Sequence, residues 1–146
     1  MINLSEVNET NKMIQEEKLD VRTITMGISL LDCIGNDVGS TAEKITKKIT
    51  TCAKDLVKVG NDIQSEYGIP IVHKRISVTP ISLIGASVCN TKEDFLLLGK
   101  ALDEAAKITG VNFIGGFSAI VNKSMTTKEK LMIESIPLVL SNTERV

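Results

Sequence analysis

An α/β fold, with parallel strands joined by helical crossovers, is what this sequence predicts. Two observations carry that prediction. Runs rich in β-branched residues recur at Val21 to Leu31, Ile69 to Thr79 and Val111 to Ile114, and each is followed by a stretch with helical spacing or capping signals. The connections are also long enough for parallel pairing, which needs about a dozen residues or more and usually takes them as helix. At 146 residues the chain fits one domain, and a compact domain of that order buries roughly 68 to 70 % of its unfolded surface. Apolar residues make up 42 % and aromatics 3 %, so the core falls to Ile, Leu, Val, Met and Ala, with little aromatic surface for stacking bases or sugars.

Ser5 to Lys18 opens on a residue suited to an N-cap and sets Leu4, Val7 and Ile14 at helical spacing, which predicts a first helix. Val21 to Leu31, VRTITMGISLL, is a first strand with partial alternation, mostly buried. The turn formers from Asp32 to Gly39 make a loop. Ala42, Ile45, Ile49, Cys52 or Ala53, Leu56, Val59, Ile63 and Tyr67 then form one stripe, predicting a single long amphipathic helix from Ser40 to Tyr67 that stops at Gly68. Gly60 inside it costs up to about 1 kcal/mol relative to Ala and marks where a bend would fall.

Ile69 to Thr79, IPIVHKRISVT, is a second strand, with Pro70 near its start, where a missing N–H is tolerated, and Pro80 at its end. Ile81 to Val88 is apolar and small, and periodicity leaves open whether it extends the strand layer or forms a helical turn. Thr91 to Asp94 has capping-box spacing with Asp in the place of Glu, ahead of a stripe from Phe95 to Ile108 closed by Gly110. Val111 to Ile114 is a third strand running into Gly115-Gly116-Phe117-Ser118. Thr126 to Glu129 caps another helix over Leu131, Met132 and Ile133, and Ser135 to Leu140 reads as a fourth strand that Pro137 confines to an edge or a strand start.

Charge and composition exclude several function classes. Seventeen Lys and Arg against 18 Asp and Glu leave a net charge of −1, unlike the basic footprint of a nucleic-acid binder. Lys47-Lys48 reads as a solvated face. The polar, acidic start MINLSEVNETNKMIQEEK lacks the pattern of a signal peptide, and no run of about 18 apolar residues would span a membrane. Cys33, Cys52 and Cys89 are widely spaced, without a CxxC pair and with one His in the chain, which argues against a disulfide framework and a structural zinc site. A reducing cytoplasm is the expected setting.

In a parallel α/β sheet, sites gather at the carboxyl ends of the strands, here Asp32 to Gly39, Pro80 to Ala86 and Gly115 to Ser118. Asp32 and Cys33 are the catalytic candidates, the thiol being set near the start of the long helix, where the macrodipole would favour a thiolate; the plainer reading of Cys33 is a small buried hydrophobe. His73, Lys74 and Arg75 form a basic cluster able to bind a carboxylate or phosphate, with alternation placing His73 and Arg75 on one face; the plainer reading is a partly exposed strand face. Gly115, Gly116 and Ser118 would bring backbone N–H groups to an anion, although a tight strand exit needing positive φ explains the glycine pair equally well. Thr79, Ser82 and Gly85 raise the same possibility at the second strand end. Asp32 and Asp37 fall short of the six or more oxygens calcium needs, so loop solvation is their default and no metal site is expected.

The runs TITMGISLLDC, GIPIVHKRISVTPISLIGAS and VNFIGGFSAIV together resemble an uncharacterised prokaryotic family named for its similarity to pyruvate formate-lyase. The resemblance spans nearly the whole chain and implies a β/α barrel of the glycyl-radical-enzyme type, a cytoplasmic location and a homodimer. It implies as well that these residues are the N-terminal part of a longer barrel protein, since three or four strands leave an unpaired edge and an uncovered face. The activity is not carried over with the fold, because no glycine follows Gly116 to bear a radical. Two functions remain in view. In one, the chain supplies a wall of a site for a small anionic metabolite; in the other, it is a non-catalytic regulatory or assembly module whose Ser40 to Tyr67 helix packs on a partner chain.

Overall fold

The computed structural model describes residues 3–18 and 20–146. In chain order it contains α1 (Leu4–Gln15), β1 (Val21–Ile28), a 3₁₀ turn (Leu31–Cys33), α2 (Val38–Cys52), α3 (Leu56–Tyr67), β2 (Ile71–Val78), α4 (Ile81–Val88), α5 (Lys92–Thr109), β3 (Phe113–Gly115) and α6 (Thr127–Leu140). The fold is mixed α/β with a small three-stranded sheet in the order β1-β2-β3, and both pairings are parallel.

Local signals set most of the boundaries. Asp37 caps α2, its side chain accepting from the Ser40 N–H at 2.8 Å. Thr91 and Asp94 cap α5 reciprocally, and so do Thr126 and Glu129 at α6, each satisfying N–H groups that a helix start leaves without partners. Gly68 and Gly110 end α3 and α5 in the left-handed conformation, at φ 68° and 74°. At α1 the cap is Asn3, which forms a capping box with Glu6, rather than Ser5.

Three expectations change. The stripe from Ser40 to Tyr67 is two helices, α2 and α3, parted at Ala53 to Asp55. Ile45 and Ile49 are fully buried and α2 packs mainly on α5, whereas α3 turns to lie over the sheet. Gly60 is not the break. It sits buried within α3, where an added Cβ would come to 3.0 Å from Ile24 Cδ1 and 3.2 Å from Lys74 Cε, so its missing side chain permits the close crossing. Ile81 to Val88, left undecided by periodicity, is helical. Ser135 to Leu140 is the second half of α6 rather than a strand: Met132, Ser135 and Val139 are its buried positions, at helical spacing, and Pro137 stays exposed on its outer side.

Alternation divides the sheet into two unlike faces. Met26, Ile28, Ile76, Val78 and Ile114 enter or pack on the core together with α2, α4, α5 and α6. Residues of the other parity, Thr23, Thr25, Gly27, His73, Arg75, Ser77, Phe113 and Gly115, do not belong to that core. Ile71, buried at the first position of β2, shares that second parity and also lies outside the core cluster. The segment after α6 returns to the outer edge of β3, where the Ile114 N–H donates to the Arg145 carbonyl at 2.8 Å. Asp103, 6 % exposed, accepts the Glu144 and Arg145 N–H groups at 2.9 and 2.7 Å and fixes that segment.

Candidate functional site

The face of the sheet that faces away from the core is its most distinctive surface. The register aligns Thr25 with Arg75 and Arg75 with Phe113, then Gly27 with Ser77 and Ser77 with Gly115. The second row is a hydroxyl flanked by two bare Cα atoms, and a Cβ built at either glycine would meet nothing within 4 Å. In the first row the Arg75 guanidinium lies 4.2 Å from the centre of the Phe113 ring, a cation–π contact. His73, two residues earlier on β2, puts its ring 6.4 Å from the same aromatic, at an interplanar angle of 56°. His73 Nδ1 and Arg75 Nε are buried and lack a hydrogen-bond partner. Among the described residues no ion pair engages Arg75.

The residues singled out from sequence are not gathered in one place. Lys74 is separated from Arg75 by the alternation of the strand: its stem lies under Gly60 of α3, and its Nζ donates to the Ile71 carbonyl at 2.9 Å. Gly85 is inside α4, where an added Cβ would stand 2.3 Å from Phe95 Cε1, so core packing accounts for it. Ser82 is buried at the start of α4, with its Oγ unpartnered. Thr79 Oγ1 accepts the Leu30 N–H at 3.0 Å and ties the ends of β1 and β2.

The Gly115 to Ser118 loop offers oxygen atoms where sequence suggested N–H donors. The Gly116 and Ser118 carbonyls accept the Ile81 and Ser82 N–H groups at 2.9 and 3.1 Å, capping α4 in place of a side chain, and the Ser118 N–H turns back to the Gly116 carbonyl. Gly116 has φ 132°, and a Cβ there would fall 2.7 Å from the Val78 carbonyl oxygen, so a tight exit explains this glycine. Gly115 alone of the pair belongs to the open face.

Asp32 and Cys33 form no activated pair. The 3₁₀ turn tucks Cys33 inward, its Sγ donating to the Lys44 carbonyl at 3.8 Å within α2 rather than sitting at the start of that helix. Burial, followed by the neighbouring Asp32 charge, pushes the Cys33 thiol up, away from a thiolate. Asp32 pairs with Lys48, whose hydrogen bond holds that carboxyl below the usual range. A groove of about 310 Å³ passes these residues toward Cys52. Two of the lysines along it are already engaged within the chain, Lys48 by Asp32 and Lys44 by the Ile34 carbonyl at 3.5 Å. Among the described residues no cluster of three His, Cys, Asp or Glu side chains would hold a metal ion, and no helix is long and apolar enough to cross a membrane.

Sequence reasoning passed over Thr25, Gly27, Ser77 and Phe113. The signal was available in the period-two alternation of VRTITMGI and IVHKRISV, which sets these residues beside His73 and Arg75 once the strands pair in register.

Comparison with known proteins places the chain among proteins of undetermined activity. Residues 12–146 match the family described as "Uncharacterised ACR (DUF711)". The chain is 62 % identical over 146 residues to a UPF0210 protein of Bifidobacterium longum. It is 60 % identical over the same length to UPF0210 proteins of Lachnospira eligens and Methanocorpusculum labreanum. Each match takes in all of this chain and 32 % of the relative, so the chain spans about a third of the length of these curated relatives.

Proposed function

The chain belongs to the uncharacterised DUF711 family, and on that premise we propose that it supplies one wall of a binding site for a small anionic metabolite, built on the core-free face of its parallel sheet. The observation that carries this reading is Arg75, a permanent cation held on Phe113 with its Nε buried and unpartnered, beside a row of Gly27, Ser77 and Gly115 low enough for a ligand to approach. The proposal concerns binding and assigns no reaction.

The same reading extends to architecture. Strands that neighbour one another in chain order, all parallel, with core helices against one face, are what a sector of a β/α barrel presents, whereas a doubly wound sheet carries helices on both faces. Arg145, hydrogen-bonded at the outer edge of β3, stands where a next strand would begin. A barrel of the pyruvate-formate-lyase type, with the Arg75 face turned to its interior and a cytoplasmic setting, is part of this proposal. Titration of the isotopically labelled chain with sodium phosphate and sodium acetate at constant ionic strength, followed by amide NMR shifts, tests the site. Saturable shifts at Gly27, Ser77 and Gly115 that vanish in Arg75→Met support it; shifts confined to the surface lysines of α2 reject it.

A second reading, an assembly module acting through a homodimer, is favoured by one feature. Val59, Ile63 and Tyr67 lie exposed at four-residue steps along α3, and α1 exposes Leu4 and Val7 while burying none of its residues. Sedimentation at several concentrations decides it, since a species that stays monomeric throughout is incompatible with dimerisation.

A further inference from the structure

We infer that the ligand of this face carries a carboxylate, taken side-on by the Nε–H and Nη–H edge of Arg75, and that His73 borders the same group; the inference rests on the binding reading proposed above. The Arg75 guanidinium carbon stands 4.2 Å from the centre of the Phe113 ring, which anchors the group over that ring, and its donors radiate within the guanidinium plane. The Nε–H is buried and finds no acceptor in the chain, so its desolvation is left uncompensated until a ligand supplies one. Two oxygens lying in one plane satisfy Nε–H and the adjacent Nη–H together, which is the bidentate match of carboxylate to guanidinium.

Charge favours a monoanion over a phosphate ester. Arg75 is the only fixed cation among the core-free positions of the strands, where its neighbours Thr23, Thr25, Gly27, Ser77, Phe113 and Gly115 are neutral. The N–H groups that start α4, which would otherwise add positive potential for a dianion, are occupied by the Gly116 and Ser118 carbonyls. His73 Nδ1, unpartnered and on the same face, is placed to share a hydrogen bond with the bound group. The Gly27, Ser77 and Gly115 row then forms a low floor with one hydroxyl, suited to a small body attached to that carboxylate.

The test compares acetate and succinate with inorganic phosphate, sulfate and the neutral acetamide, at equal ionic strength and pH, by amide shifts at Gly27, Ser77 and Gly115. Carboxylates are expected to bind about tenfold more tightly than the tetrahedral anions, and acetamide to leave these amides unmoved. Arg75→Lys, which keeps the charge and loses the planar fork, should flatten that preference while weak anion binding remains. Equal or tighter binding of phosphate, or a carboxylate preference that survives in Arg75→Lys, overturns the inference and leaves the anion site standing. Silence toward every anion overturns both readings. Should Arg75→Lys fail to fold, Phe113→Leu removes the platform instead, and an unchanged carboxylate preference in that variant refutes the side-on geometry.

Discussion

Replacing Gly85 by Ala separates a glycine required by packing from one kept open for a ligand. An added Cβ would stand 2.3 Å from Phe95 Cε1, 2.9 Å from its Cζ and 3.2 Å from Cys89 Sγ. Phe95 has no solvent exposure, so its ring has no route outward and the contact must be relieved by moving packed neighbours. A contact as short as 2.3 Å against an immobile ring puts the overpacking cost at about 2–3 kcal/mol, the upper part of its usual range, against which Ala regains roughly 1 kcal/mol of helix propensity within α4. The expected net loss is about 1–2 kcal/mol, or a fall in Tm of roughly 3–8 °C for a chain of this size. Urea and thermal unfolding followed by circular dichroism measure it. In a Phe95→Leu background the two ring atoms met by the new methyl are gone and only the 3.2 Å approach to Cys89 Sγ remains, so Gly85→Ala should become close to neutral, with a coupling of about 1 kcal/mol or more. Equal effects in both backgrounds would refute the packing argument.

The thiols should divide by burial. Cys52 is exposed, whereas Cys33 is buried and Cys89 is pushed up to about 12 by burial and then by the Asp94 charge, so an aromatic disulfide reagent should titrate one thiol in the folded chain and the others only after unfolding. Rapid labelling of Cys33 under native conditions would contradict its placement. Burial alone would raise the Asp103 carboxyl, but the Lys107 ammonium at 2.8 Å and the Glu144 and Arg145 N–H groups outweigh it and hold the group below its usual range. With the folded value depressed, the stabilisation is present above the unfolded-state value of about 3.9 and is lost as pH falls through the folded value. Asp103→Asn should therefore lower stability at neutral pH by about 1–3 kcal/mol and make the acid limb of a stability–pH curve shallower. A urea midpoint series from neutral to acid pH that matches the parent chain would exclude that role.

The fold class was legible because it rests on local patterns. The β-branched runs of β1 and β2, the Thr91/Asp94 and Thr126/Glu129 caps and the Gly68 and Gly110 stops all act within a few residues of chain, and all appear where the sequence places them. The break between α2 and α3 was hidden, since three irregular residues leave the apolar stripe nearly in phase and the turn is set by where α5 and the sheet offer a surface. Ser135 to Leu140 is too short for its period to distinguish strand from helix, and its assignment depends on the burial of Met132 and Val139 by other elements.

By itself, then, the sequence determined the three strand segments, the capped helices and that the strands run parallel, because periodicity, caps and crossover lengths are properties of neighbouring residues, while Ile81 to Val88 and Ser135 to Leu140 took their helical form from the packing around them. Tertiary structure alone decided the grouping of the candidate residues. Strand register joins Arg75 to Phe113 and aligns Gly27, Ser77 and Gly115, alternation sends Lys74 to the helices, and core packing claims Gly85 and Cys33. The physical reason is range: a site here is made by backbone hydrogen bonds between segments tens of residues apart, and no short window of sequence encodes which partner each strand will meet.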